Sequence, residues 1–464
     1  MKKFIFALIL ILFMPLVYAE DLSYVGSENV NSDMNEADKT FESLMGGKNV
    51  LVVTSGNSTF KNCTFNKKGD STYAEADLYG TNAAVIISGG ALNLDGGSVS
   101  TDGKHASGIF LLGNGEVNLN NVLINSLNDF SSGLVSSNGG IIDAKNVTLK
   151  TNGINSPAVN LMDDAGKIVI SGGMLETNGK GSPILSLAGN VQISGASLVS
   201  TASEGIIIDK NGSISLTNTK LFDTNNVLSN NVGSYKNILM YQSGDRDDMV
   251  ESSFTAKDSK IETNKGDTFV VTNTKALITL ENNEYVNNSG AFLVVRADNY
   301  GTIGSNGGKA SLSMIKQKIK GKVVVDSISS LNLEIKDGSI LEGSINNADD
   351  SKNVTVDLSI DSIWSLSNDS YIKSLKNGDK YNKNIYSNGY RLYVDGKEVS
   401  INDKDYQEKT NSGKETYTAS ETEIDNKNVE GSNYNVIIIL SVVALGIFLV
   451  AFYFIKKAKE NNSF

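Results

Sequence analysis

The sequence contains one cysteine, Cys63, among 464 residues, so no internal disulfide can hold the fold together. Only three prolines occur, which leaves almost every backbone amide able to donate a hydrogen bond within a sheet. Basic residues number 41 against 52 acidic ones, for a formal net charge of −11. Nucleic acids and anionic membrane surfaces bind basic faces, so this balance argues against both as partners.

Glycine, by contrast, is abundant, with 44 residues. It recurs in a sequence unit, here called a phrase, that repeats between Asn82 and Asp223. Each phrase has an apolar strand, a corner containing Gly or Asn, and two further strands. The repeats lie roughly 22 to 26 residues apart, a period typical of solenoid proteins. The first strands of the six phrases contain Ala83–Val85, Gly108–Phe110, Gly133–Val135, Pro157–Val159, Pro183–Leu185 and Gly205–Ile207.

The second strand of each phrase alternates apolar and polar residues, as at Leu92 and Leu94. Such alternation predicts a strand with one face turned inward. The period is interrupted after Asp223 and resumes at Phe254. We therefore expect an all-β fold, a right-handed parallel β-helix over residues 46–397, whose roughly 14 coils would form a rod about 65 Å long at the usual strand spacing.

The first 19 residues have the three zones of a secretory signal peptide. Lys2 and Lys3 precede the apolar run Phe4–Val17, and the small residue Ala19 follows it. We expect cleavage after Ala19, and an uncleaved anchor is the alternative.

Residues 20–45 are predicted to be an N-terminal cap or a flexible segment, since the first coil of a solenoid otherwise exposes its interior. Apolar residues in this segment recur at a spacing that predicts one face of a short helix. These residues are Met34, Ala37, Phe41, Leu44 and Met45.

An uncharged run, Val436–Ile455, is long enough to span a bilayer as a helix, and a buried helix of a globular domain is the alternative. Lys456 and Lys457 follow it, so residues 456–464 are predicted to be a cytoplasmic tail and the β-helix to be extracellular. The polar segment 398–435 predicts a flexible stalk. The sequence thus predicts a single-pass protein of the cell membrane.

Several phrases resemble those of bacterial surface proteins of the pectin-lyase-like, right-handed parallel β-helix type. They are YGTNAAV at 79–85, SEGIII at 203–208, MYQSGD at 240–245, GDTFVVTNT at 266–274 and GSNGG at 304–308. The resemblance covers about residues 45 to 397, and it implies this fold and an extracellular, adhesin-like setting. It implies no catalytic residue and no cofactor.

Four tyrosines lie in or near the predicted loops of the second half, around a Gly- and Asn-rich insertion at Ser289–Gly308. Aromatic rings combine apolar area with a polar group and suit glycan binding, although aromatics also cap coils and line solenoid interiors. The candidate binding residues are Tyr235, Tyr241, Tyr285 and Tyr300.

An acidic segment offers a candidate calcium site, because hard oxygen ligands are concentrated in seven residues. The candidate ligands are Asp245, Asp247, Asp248 and Glu251. Their spacing departs from the usual calcium loop, and Arg246 lies among them, so a solvated acidic loop is the alternative.

Enzymes that cleave polysaccharides are the main rival to a binding role, since glycoside hydrolysis needs a carboxylate pair. Asp163 with Asp164 is the best candidate pair in the sequence. The lone histidine, His105, lies at a predicted turn and is expected to be exposed there. A carboxylate pair on neighbouring coils, facing a groove, would favour an enzyme, and a flat polar flank would favour adhesion.

The sequence therefore predicts an adhesin or surface-interaction rod without catalysis. Its expected partners are host or environmental glycans or surface proteins. A polysaccharide lyase or hydrolase and a purely structural spacer are the alternatives.

Overall fold

The computed structural model describes residues 23–162, 165–226, 235–243 and 249–407. Strands follow one another in sets of three, and each set pairs in parallel with the set one coil earlier. The described residues therefore form a parallel β-solenoid, which confirms the repeat seen in the sequence. All six predicted first strands pair in register with one another.

The first face of the solenoid is a 12-stranded parallel sheet. Its strands are Gly26–Val30, Asn49–Val53, Val85–Ile87, Ile109–Leu112, Leu134–Ser137, Val159–Leu161, Leu185–Leu187, Ile206–Asp209, Lys236–Tyr241, Asp267–Thr272, Leu293–Val295 and Val323–Val325.

The second and third faces share a 22-stranded sheet, because two long strands, Gly139–Thr151 and Ala165–Thr177, run through the corner between them. The remaining second-face strands are Met34–Ala37, Asn57–Lys61, Ala91–Asp95, Glu116–Asn120, Asn190–Ser194, Ser213–Thr217, Glu251–Lys257, Lys275–Glu281, Lys309–Ile315, Ser330–Lys336, Val354–Leu358 and Ser374–Asn377. The remaining third-face strands are Thr40–Ser43, Thr64–Lys68, Ser98–Asp102, Leu123–Ser126, Ser197–Ser200, Lys220–Asp223, Lys260–Thr263 and Glu284–Asn287.

Toward the C-terminal end the pairing continues in two small sheets. One contains Lys318–Lys320, Ile340–Glu342, Ile363–Ser365 and Ile385–Tyr386, and the other Ser370–Ile372, Leu392–Val394 and Lys397–Glu398. One helix is described, α1, at Tyr73–Tyr79.

The corner between the second and third faces depends on a residue in the left-handed backbone conformation. Asn121, Asn146, Asn218 and Asn282 occupy it with φ between 49° and 53°. Asparagine and glycine tolerate this conformation at least cost. The Gly- or Asn-containing corner predicted from the sequence is a different one, between the first and second strands. Gly90, Gly113 and Asn138 lie there, also in the left-handed conformation, with φ of 75°, 81° and 58°.

The interior is a stack of apolar side chains, one layer per coil. A first-face row that is fully buried illustrates it: Leu51, Val85, Ile109, Leu134, Val159, Leu185, Ile206, Ile238, Phe269 and Leu293. Burial of a branched side chain contributes on the order of 1.5–3 kcal/mol. The stacked rows therefore stabilise the fold without the internal disulfides that this chain lacks.

Buried polar side chains satisfy backbone amides at the corners where the strand ladders are interrupted. The hydroxyl of Ser131 accepts from the amide of Ala106 at 3.0 Å, and that of Ser156 accepts from the amide of Ser131 at 3.0 Å. The Ser182 hydroxyl continues this ladder to Ser156 at 2.9 Å. A corner amide that would be orphaned is thus bonded to the next coil.

Residues 34–45 do not form the short helix that their apolar spacing predicts. Met34–Ala37 and Thr40–Ser43 are strands of the first coil and pair with the second coil. Phe41 stacks on Phe65 with ring centroids 5.3 Å apart. Pairing with the next coil satisfies the backbone and overrides the local pattern.

The predicted stalk boundary at Glu398 is also wrong. Glu398 pairs with Tyr393 in an antiparallel hairpin, and Val399 and Ile401 pack against the core. The Tyr406 ring contacts Tyr386 at 5.2 Å. Two single apolar residues and a hairpin ladder suffice to order this polar segment.

The predicted signal peptide at 1–19, the membrane helix at 436–455, the tail at 456–464 and most of the stalk lie outside the described residues. Within the part of the chain that the structure describes, no helix has the length and apolar character needed to cross a membrane.

Candidate functional site

A row of residues on the outer side of the first face runs across the coils in register. Its members are Val52, Ile86, Phe110, Val135, Asn160, Ser186, Ile207, Leu239, Val270 and Val294. The residues before Asn160 belong to one apolar cluster and those after Ser186 to another. The row is therefore interrupted by two polar residues in its middle.

Helix α1 covers the first apolar cluster. The helix ends at Gly80, whose φ of 73° is left-handed. A Cβ at Gly80 would lie 2.6 Å from the Phe110 ring and 2.9 Å from Ile86. Glycine thus permits the close approach of the helix end to the sheet.

His105 and Asp77 fasten the helix to the coils. The Nδ1 atom of His105 lies 2.8 Å from a carboxylate oxygen of Asp77, and its ring stacks on Phe130 at 4.7 Å. Burial raises the pKa of Asp77, and the contact with His105 opposes that rise. His105, expected to be exposed, is mostly buried, with a side-chain exposure of 14%.

Tyr241 and Tyr300 cover the second apolar cluster. Their ring centroids lie 4.4 Å apart, so the structure brings together two of the four predicted tyrosines. The loop that carries Tyr300 is held by Asn306, whose amide nitrogen donates to the carbonyls of Asp298 and Tyr300 at 2.6 and 2.8 Å. A buried ion pair, Lys236 with Asp298 at 2.8 Å, ties the loop to the sheet.

The electrostatic setting of the tyrosine pair is acidic. Burial, and then the nearby carboxylates of Asp209 and Glu204, raise the pKa of both Tyr241 and Tyr300. Burial opposes ionisation of Asp298, but the hydrogen bond and charge of Lys236 hold its pKa below the usual value. Both tyrosines are therefore neutral hydrogen-bonding groups at physiological pH.

Between the two covers the outer face is open, and we call this gap the trough. Two adjoining depressions form it, of about 320 and 480 Å³. They share Leu78, Asn160, Met162 and Ser186. The trough thus has a floor of small polar and apolar side chains, with helix α1 at one end and Tyr241 at the other.

A carboxylate stands beside Tyr241 in the larger depression. It belongs to Asp209, whose oxygens accept hydrogen bonds from the amide and hydroxyl of Ser243, both at 2.7 Å. An oriented carboxylate, an aromatic ring and a polar floor are the usual parts of a site that binds hydroxyl-rich molecules.

The other two predicted tyrosines lie away from the trough. Tyr285 packs against the core, where its hydroxyl contacts that of Thr268 at 2.8 Å and its ring contacts Phe292 at 5.3 Å. Tyr235 has the Lys265 amine 5.4 Å from its ring centroid. The structure therefore gives Tyr285 a packing role.

The predicted calcium ligands Asp245, Asp247 and Asp248, and the carboxylate pair Asp163–Asp164, lie outside the described residues. Glu251 is described and exposed at the start of its strand. No group of three or more His, Cys, Asp or Glu residues placed to hold a metal ion occurs within the described ranges.

An aligned carboxylate pair does occur on the second face, at a place that the sequence reasoning missed. Glu334 and Asp357 are paired in register on neighbouring coils and line a depression of about 520 Å³. Lys336 contacts Glu334 at 2.6 Å, and Lys376 contacts Asp357 at 2.6 Å. The signal was present, since each carboxylate follows the same Leu-x-Leu or Val-x-Val alternation.

Comparisons with known proteins found no counterpart. No protein-family model matches the chain. No curated protein and no solved structure matches it either.

Proposed function

We propose that this chain is a membrane-anchored, extracellular rod of the right-handed, pectin-lyase-like β-helix type that binds a glycan in the trough without cleaving it. The anchor and the signal peptide rest on the sequence pattern at the two ends. The observation that carries the binding role is the interrupted apolar row: the outer face is covered on both sides of Asn160 and Ser186 and open at those two residues.

Geometry favours a binding role for this site. Tyr241 presents a half-buried ring at the edge of the trough, and Asp209 presents an oriented acceptor beside it. Asn160 and Ser186 add an amide and a hydroxyl on the floor. Together these groups supply the apolar ring contact and the hydrogen bonds that sugar rings require.

Display on a membrane suits weak individual sites. A protein anchored in many copies engages a polymer at several points, and the effective concentration of the second contact raises the overall affinity. The rod would hold the trough away from the membrane, and a stalk would let neighbouring rods orient on one polymer.

The test is binding of the full chain, purified in detergent, to an array of oligosaccharides. Tyr241→Ala is expected to weaken binding to any ligand of the wild type by at least tenfold, since it removes the ring contact. Thr279→Ala, in the second-face depression, is the matched control and is expected to bind as the wild type does. Equal binding by Tyr241→Ala and the wild type would place the site elsewhere.

A second candidate function, polysaccharide cleavage, is favoured by one observation, the Glu334–Asp357 pair. Acid–base catalysis needs two carboxylates with different proton affinities, whereas each of these is half-buried and contacts a lysine. Reducing ends or product absorbance near 235 nm, released by the wild type and lost in Glu334→Gln, would establish the enzyme instead.

A further inference from the structure

The charges around the trough restrict the class of glycan that it can take. Among the described residues that line its two depressions, none is Lys or Arg. The charged side chains among these described lining residues are Asp77 and Asp209. Lys210 follows Asp209 at a left-handed corner and is not part of the lining.

Within the described residues, Ser243 and His105 hydrogen-bond these two carboxylates. Asp209 accepts from Ser243, and Asp77 from His105. The hydrogen bonds from Ser243 orient the Asp209 carboxylate but bring no positive charge to it. The tyrosine pair beside it experiences the same negative field, which comes from Asp209 and Glu204.

Among the described lining residues, a carboxylated or sulfated sugar would meet this field with no Lys or Arg to pair with. Anionic polysaccharides are bound through Arg and Lys, which pair with carboxylate and sulfate groups. The net charge of the chain as a whole does not attract an anionic sugar either, since it is −11 and has the same sign. A like charge placed beside a partly desolvated carboxylate is strongly disfavoured.

Hydroxyl groups, by contrast, match the lining. A carboxylate such as Asp209 accepts hydrogen bonds from sugar hydroxyls or from a protonated amine. Asn160 and Ser186 both donate and accept, and Met162 and Ile207 offer apolar contact to a ring face. The trough is thus complementary to a chain that carries hydroxyl or amino groups.

We propose that the trough is selective for non-acidic saccharide chains, built of neutral or amino sugars, and that it rejects uronic-acid and sulfated polymers. This inference rests on the proposed function. Asp209 is the residue that sets this selectivity, because its carboxylate lines the trough together with Tyr241.

The experiment measures binding of the full chain to pairs of polymers that share a backbone and differ in charge. The probes are methyl-esterified and de-esterified galacturonan, a β-glucan and its carboxymethyl derivative, and chitin oligomers as the amino-sugar class. At low salt the acidic member of a pair is expected to bind at least tenfold more weakly than the non-acidic one. Asp209→Lys is expected to remove or invert that ratio, and Glu334→Lys, on the second face, to leave it unchanged.

The outcomes separate the two proposals. Equal or tighter binding of the acidic polymers, lost in Tyr241→Ala, would overturn the selectivity and leave the trough as the binding site. Absence of binding to every probe would overturn the proposed function and the selectivity with it. A charge preference that Asp209→Lys leaves unchanged would show that Asp209 does not set it. Asp209→Asn, which keeps the side-chain shape, shows whether any loss in Asp209→Lys comes from misfolding.

Discussion

Replacing Asn283 by Leu should destabilise the solenoid far more than its small change in size suggests. Asn283 is buried at the corner between the second and third faces. Its side-chain oxygen accepts from the amide of Ser259 at 2.9 Å, and its amide nitrogen donates to the Ala256 carbonyl at 2.9 Å. A third bond reaches the side-chain oxygen of Gln317 at 3.0 Å.

Leucine removes all three bonds and leaves two buried backbone groups without these partners. An unsatisfied buried donor or acceptor costs about 1–3 kcal/mol, so the expected loss is about 2–6 kcal/mol. The backbone amide of Asn283 donates to the side-chain oxygen of Gln317 at 2.9 Å. The leucine variant keeps this hydrogen bond, so it does not contribute to the expected loss. Burial of the leucine side chain contributes at most about 1.5–3 kcal/mol, which offsets part of this loss and makes the net destabilisation smaller than the sum.

The assay is urea unfolding of the full chain followed by circular dichroism, with Asn283→Ser as the matched control. Serine serves as the acceptor at the neighbouring positions of this ladder, where the Ser259 hydroxyl accepts from the Thr219 amide at 3.1 Å. The serine variant should therefore keep the bond to Ser259 and lose less stability than the leucine variant. Equal stability of the two variants would refute the view that the polar ladder stabilises these corners.

Three further outcomes follow from the same structure. Burial raises the pKa of Asp223 well above its usual value, so the folded chain holds a proton that the unfolded chain releases. The free energy of unfolding should therefore fall as the pH rises above about 4. Asp223→Asn should reduce that fall, measured as the urea midpoint across pH. His105→Ala should speed hydrogen exchange in residues 73–79 and leave exchange in the coil strands unchanged, because it removes the contact to Asp77. Phe110→Ala should cost about 3–5 kcal/mol in the same unfolding assay, although Phe110 lies outside the solenoid interior.

The repeat could be predicted from the sequence because the strands and corners of each coil depend on local sequence signals. A strand such as the one at Leu92 and Leu94 shows the alternation of its inward face, and a corner such as Gly90 shows its turn residue. Both signals recur at one period, so the parallel register follows from counting. The same locality misled at residues 34–45, where helical spacing competed with pairing to the next coil and lost.

The trough could be predicted only in part. Tyr241 and Tyr300 were recognised as aromatic residues near loops, but their contact depends on how a loop folds back over the sheet. Asp209 carried no signal, since a single Asp at the end of an apolar strand reads as a turn residue. The cover made by helix α1 was also missed, because it depends on contacts outside the repeat.

A crystal structure of the protein with a bound oligosaccharide tests the account most directly. The expected result is a sugar chain in the trough, between Leu78 and Tyr241, with a ring against Tyr241 and a hydroxyl or amino group on Asp209. A chain bound instead in the second-face depression, at Glu334 and Asp357, would contradict it.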